Sequence, residues 1–320
     1  MSVEKSVAAL FDPAHTLSQK VDILDALKVA VYESSDILYT IIQRLIQKVP
    51  PIAHPVPALS IASTSYGMAY DLHYPTLTAL LCPVLGSQHV TQLLNQPYDD
   101  QRYTVYDLLD DLNQNYLLPH EKANDKMKQQ TACFAQLSQW CPLLFELLDN
   151  LHQSADYQAQ YRFLRQLLLL IEVMPAPKRL VGVSDKALLP VYANALIKMG
   201  VTHALVVYGG KGVDLFSVCG VNEVIQIQNA CQKSFSLHPE QLGFMRSKPQ
   251  YLKMASDQGA LEQIQMLLKN ELLGPKHDML CLNIAAGYYV DQDFTISVAD
   301  ALEQTQAAFY NGTFYRHLFE

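Results

Sequence analysis

The stretch Leu205 to Val218, LVVYGGKGVDLFSV, holds the residue types best suited to chemistry on an anion. A β-branched and apolar run feeds into Gly209, Gly210 and Gly212, a pattern that opens a strand onto a loop whose backbone can approach a phosphate closely. Lys211 sits among the glycines as a point charge able to reach such a phosphate, and Asp214 follows as an acid. Metal-assisted phosphate chemistry calls on at least two acidic groups around the cation, yet the next residue is Leu215. The same pattern also makes a tight strand-to-helix turn with the lysine in solvent.

Other residues invite chemical readings against plainer ones. Asp107, Asp110 and Asp111 share a helical face that would suit a cation or simply be wet, and Asp291 and Asp293 form a D-x-D in what reads as a polar connector. His73 is the best-placed histidine for catalysis, with a surface or capping role as its alternative. Tyr66, Tyr70 and Tyr74 recur at helical spacing and either line a cleft or belong to the core. The six cysteines form no C-x-x-C pair, which argues against a zinc knot or dithiol motif and for reduced thiols.

Several elements must position these residues. Val21, Leu24, Leu27, Val31, Leu38, Ile41 and Leu45 give helices over 17–48, broken near Ser34 and Ser35, where Ser35 caps the second. The proline-rich VPPIAHPVP, residues 49–57, is a stiff hinge. Beyond it, 58–64 predicts a strand, 76–85 a helix closed by Gly86, 99–117 a helix, and 161–173 an apolar helix carrying Arg162 and Arg165. Residues 179–184, 190–199 and 203–209 predict strand, helix and strand, a βαβ unit, with 223–228 as another strand. Helices follow over 278–290 and 298–310, the latter capped by Ser297 with Asp300 and closed by Gly312.

At 320 residues, half of them apolar and 17% charged, the chain is globular. Its net charge of −8 disfavours nucleic acid and anionic membranes as partners. No apolar run reaches signal-peptide or membrane-span length, so the expected setting is cytoplasmic.

With these elements in order, LVGVSDKALLPVYANALIKMGVTHALVVYGGKGVDLFSV and GPKHDMLCLNIAAGYYV resemble segments of the anthranilate phosphoribosyltransferases. These belong to glycosyltransferase family 3, which also contains the pyrimidine nucleoside phosphorylases. The resemblance implies an α/β fold: an N-terminal helical subdomain, residues 1–56 joined by part of about 140–173, and an α/β domain, 57–320, with a mostly parallel central sheet. It also implies a homodimer through the helical part, and transfer of a phosphoribosyl group to an amine with Mg²⁺.

The family's charged motifs are altered at the matching places. Its glycine-rich pyrophosphate loop is matched by Ser63, Thr64, Ser65, Tyr66 and Gly67; its cationic motif falls near Thr91 to Asn95, without positive charge. Its acceptor-orienting stretch retains Arg162 and Arg165. Of its metal-binding acid pair, Asp214 remains and Leu215 replaces the partner. A divergent branch with an S-Y-x-G-like turn is also similar, and implies nucleic-acid binding through a basic surface. The reading is therefore a relative with degraded motifs that binds a small phosphorylated or aromatic ligand, through Ser63–Gly67, Gly209, Gly210, Lys211, Gly212, Arg162 and Arg165. Its alternative is a transferase with an altered cleft.

Overall fold

The computed structural model describes residues 2–48, 59–62, 74–85, 97–98, 101–104, 142–171, 176–252 and 260–319. Its N-terminal layer is helical: α1 (Val3–Leu10), α2 (Leu17–Glu33) and α3 (Ser35–Ile46). Thr16 starts α2 through a reciprocal capping box with Gln19, and Ser34, one residue before the expected cap, starts α3 by accepting from the Asp36 N–H at 3.1 Å. After β1 (Leu59–Ala62) and α4 (Tyr74–Leu85) comes a small antiparallel pair, β2 (Pro97–Tyr98) and β3 (Gln101–Thr104). The helix expected over 99–117 is therefore wrong at 101–104, where Tyr103 and Thr104 favour a strand; the remainder lies outside the described residues.

Helices α5 (Pro142–His152) and α6 (Gln158–Leu170) return to the helical layer. The side-chain amide of Gln160 on α6 donates to both carboxylate oxygens of Asp25 on α2 at 2.9 Å, tying the two together. Then β4 (Lys178–Gly182), α7 (Leu188–Lys198) and β5 (His203–Tyr208) form the expected βαβ unit. They are followed by β6 (Asn222–Gln228) and β7 (Cys231–Leu237), and by four helices, α8 (Ala260–Leu268), α9 (Pro275–Asp291), α10 (Val298–Tyr310) and α11 (Thr313–Phe319).

The five-stranded sheet runs β1-β4-β5-β6-β7. Its β1, β4 and β5 are parallel, while β6 and β7 add antiparallel. Strand alternation divides the core between its two faces. Leu205 and Val207 point to a cluster shared with α4, α8, α9, α10 and α11; Ala204 and Val206 point to one shared with α1, α2, α3, α5, α6 and α7. On the first face Gly287 of α9 lets α4 approach so closely that an added Cβ would fall 2.5 Å from the Cys82 sulfur, which accounts for a glycine at this position.

Strand β7 was not anticipated from the sequence. It pairs with β6 through a two-residue turn, Asn229 and Ala230, at φ 48° and 66°. Two consecutive positive φ values fit the hairpin turn whose twist matches the strands, and its second position favours glycine. Ala230→Gly is expected to stabilise the fold by about 0.5–1 kcal/mol, read as a higher urea midpoint at unchanged slope. An unchanged or lower midpoint would contradict this account of the turn.

Candidate functional site

The glycine loop leaves β5 and folds back on itself. Gly210, Lys211 and Gly212 take φ values of 82°, 51° and 85°, three left-handed residues in succession. The Gly209 N–H donates to the Val213 carbonyl at 2.8 Å, the Val213 N–H to the Gly210 carbonyl at 3.0 Å, and the Gly212 N–H to the Tyr208 hydroxyl at 3.4 Å. These amides are thus engaged within the loop, and Lys211 at its tip is exposed. The chain then returns as a buried segment without regular secondary structure over 214–218 rather than opening a helix.

That return segment crosses the carboxyl ends of β4 and β5. A Cβ on Gly182 would overlap the Asp214 carbonyl, and one on Gly209 the Leu215 carbonyl, so both strand ends must be glycine for the chain to pass. Two buried amides satisfy its backbone. Asn283 of α9 accepts from the Phe216 N–H at 3.1 Å and donates to the Phe216 carbonyl at 2.9 Å. Asn222 accepts from the Ser217 N–H at 2.6 Å and donates to the Ser217 carbonyl at 3.0 Å.

This docking fixes Asp214 and Leu215 in the interior. Asp214 is 1% exposed, and Leu215 is 1% exposed as part of the apolar core. Mg²⁺, which the resemblance implies, asks for carboxylates in near-octahedral geometry with room for its waters. One buried carboxylate beside a core leucine does not fit it, and the described residues hold no group of three His, Cys, Asp or Glu able to bind a metal.

Beside the loop, a cleft of about 250 Å³ lies between α2, α6 and the turn from β4 into α7. It opens at the carboxyl end of a parallel strand, where open α/β sheets bind their ligands. Lys28 and Arg162 bring positive charge to it, Asp185 negative charge, and Phe163 and Tyr192 aromatic surface. The Gln166 side-chain amide forms part of its wall and donates to the Gly182 carbonyl at 2.9 Å. The hydroxyl of Tyr32 donates to Asp185 Oδ2 at 3.2 Å, joining α2 to the turn. Burial pushes the Tyr192 hydroxyl well above its ordinary pKa, and the nearby Tyr32 and Asp214 push it further, so Tyr192 stays neutral and Asp214 contributes to the field beneath the cleft.

The structure separates the two arginines. Arg162 lines the cleft; Arg165, one turn on, is 8% exposed with its guanidinium 5.8 Å from the Tyr161 ring centre. Ser63 to Gly67, His73, Tyr66, Tyr70, Asp107, Asp110 and Asp111 lie outside the described residues. Tyr74 is fully buried in the core, so it does not belong to a ligand-facing stripe. Asp293 is paired with Lys178 at 3.0 Å and His203 at 3.4 Å, and Asp291 is buried, which gives the D-x-D a structural role. Sequence reasoning missed Lys28, Tyr32, Gln166, Ser184, Asp185 and Tyr192, which come from three distant segments and share no motif.

A glycine loop at the end of β5, a cleft at the end of β4 and a helical layer beside it describe an α/β protein with a ligand-sized cleft at the carboxyl end of its parallel strands. The chain belongs to the glycosyl transferase family: the model of that family's a/b domain matches residues 106–315. Among curated relatives, the anthranilate phosphoribosyltransferase of Ruminiclostridium cellulolyticum is 28% identical over 213 residues, 64% of this chain and 59% of the relative. That of Methanosarcina mazei is 36% identical over 115 residues, 36% of this chain and 30% of the relative. The matched part is thus less than two thirds of these relatives' length. In fold, the chain is similar to anthranilate phosphoribosyltransferase from Thermus thermophilus, with a TM-score of 0.71 at 22% identity over 99% of this chain and 94% of that one. It is also similar to the enzyme from Saccharomyces cerevisiae in complex with PRPP and Mg, with a TM-score of 0.72 at 16% identity over 99% and 91%.

Truncating the clamp tests this construction of the loop. Asn283→Ala leaves the Phe216 N–H and carbonyl buried without their partner and is expected to cost about 2–4 kcal/mol, read from denaturant unfolding. A loss under about 0.5 kcal/mol would show that the return segment does not depend on this amide.

Proposed function

We propose that this chain is a divergent anthranilate phosphoribosyltransferase-like protein. It no longer works as an efficient anthranilate phosphoribosyltransferase and uses the fold to bind a small anionic ligand in the cleft at Arg162. The observation that carries the reading is Leu215: where the resemblance places the second metal-binding acid, an apolar side chain is packed into the core. Such catalysis depends above all on electrostatic stabilisation of the leaving pyrophosphate, and this loop has lost half of its metal site. The cleft supports the binding half of the reading, with two cationic side chains and aromatic walls at the expected end of the sheet.

A second reading, an active transferase with relocated charges and a different acceptor, is favoured by Lys28 and Arg162 facing one cleft. Self-association through the helical layer belongs to the proposal as well, supported by Val29 of α2, which is 64% exposed. A cytoplasmic setting is supported by Cys82, Cys219, Cys231 and Cys281, all of them free thiols. No helix of the described residues is long and apolar enough to cross a membrane.

Calorimetric titration separates the readings. Phosphoribosyl pyrophosphate is expected to show no Mg²⁺-dependent binding to the wild type. Benzoate is expected to bind, and to lose about ten- to a hundredfold in affinity in Arg162→Ala, the worth of a charge-assisted pair. Mg²⁺-dependent binding of phosphoribosyl pyrophosphate that weakens in Asp214→Ala would establish the second reading instead.

A further inference from the structure

We infer that Lys276 is a site of covalent acylation, the amine at the start of α9 that an acyl phosphate modifies ahead of the lysines on the open surface. The inference is independent of the cleft and of what binds there.

The placement of this lysine denies its charge the usual support. Lys276 is the second residue of α9, a helix of 17 residues that begins after Gly274, and the backbone dipole disfavours a cation at that end. Its Nζ donates to Gln263 Oε1 on α8 at 2.8 Å. That neutral acceptor holds the amine between two helices without giving it a counter-charge. Among the described residues no carboxylate pairs with it: Asp278, on the same turn, faces His277 Nδ1 at 3.8 Å, and Glu262 and Glu271 make no ion pair with it. Burial accordingly holds the Lys276 amine below the usual lysine range, so a larger share of it is the nucleophilic free base. The side chain is still partly exposed, which leaves a way in for a small electrophile.

The chemistry needs only the acyl donor. The nitrogen lone pair attacks the acyl carbon, a C–N bond forms as the C–O bond to phosphate breaks, and the proton lost from nitrogen leaves with the phosphate. The incoming anion suits the same helix end that disfavours the ammonium. The product amide is uncharged. It therefore relieves the burial of a cation, and its N–H can still donate to Gln263.

The test follows acetylation of the full chain by acetyl phosphate, read residue by residue by peptide mass spectrometry across a pH series. At about pH 7.5, Lys276 is expected to react at least about threefold faster than Lys5 and Lys233, which are exposed. Its rate is expected to level off at a lower pH than theirs, because its amine loses the proton sooner. Gln263→Glu sets a carboxylate against Nζ, favours the ammonium, and is expected to slow Lys276 by about threefold or more with Lys5 and Lys233 unchanged. Wild-type Lys276 reacting no faster than Lys233, or levelling off at the same pH, overturns the inference. An unchanged Lys276 rate in folded Gln263→Glu overturns it as well. Gln263 is fully buried, so if that variant does not fold, the wild-type rates and pH series decide by themselves.

Discussion

The passage of the chain over Gly182 and Gly209 is the constraint on which the rest of the site depends. With any side chain at either position, the return segment from Asp214 would collide with the strand ends. With the glycines in place it lies flat across β4 and β5, and its backbone must find partners away from water. Asn283 and Asn222 supply them from opposite sides, one from α9 and one from β6. The glycine loop owes its shape to this requirement: three left-handed residues, Gly210, Lys211 and Gly212, reverse the chain within a few positions, and the Gly209, Gly212 and Val213 N–H groups are bonded within the turn.

From that docking follow the burial of Asp214 and the core position of Leu215. A buried carboxylate with a core leucine beside it adds negative charge in the neighbourhood of Tyr192 and lacks the second acid that a hydrated cation calls for. Gly182 links the two features, since it makes room for Asp214 and its carbonyl receives Gln166 from the cleft wall. The elements around the cleft are tied together by side chains: α2 to the turn after β4 by Tyr32 on Asp185, α2 to α6 by Gln160 on Asp25, and α3 to α7 by the ion pair of Lys198 with Asp36.

What could be read from the sequence was whatever is local in the chain. Helices α2, α7 and α10 carry apolar periodicity, with a stop at Gly200 and a cap at Ser297, and β5 is a run of apolar, largely β-branched residues before glycine. Strand β7 escaped because its turn uses Asn229-Ala230 where a glycine would have announced it. The strand at 101–104 escaped because Val105, Leu108, Leu109 and Leu112 lend the region a helical spacing. The cleft escaped for a different reason. Lys28, Arg162 and Asp185 are brought together by the packing of α2 and α6 on the β4 end, and nothing in their separate neighbourhoods marks them as partners. Likewise Arg162 and Arg165 look equivalent as a pair, yet one faces the cleft and the other lies buried against Tyr161.

The central claim is that Asp214 is a structural carboxylate and not a metal ligand. Crystals grown with Mn²⁺ in place of Mg²⁺, and with phosphoribosyl pyrophosphate present, test it most directly through anomalous diffraction. The account predicts no anomalous peak within coordination distance of the Asp214 carboxylate, with the side chain still buried. A peak bonded to an Asp214 oxygen, with pyrophosphate completing the metal's shell, would contradict it.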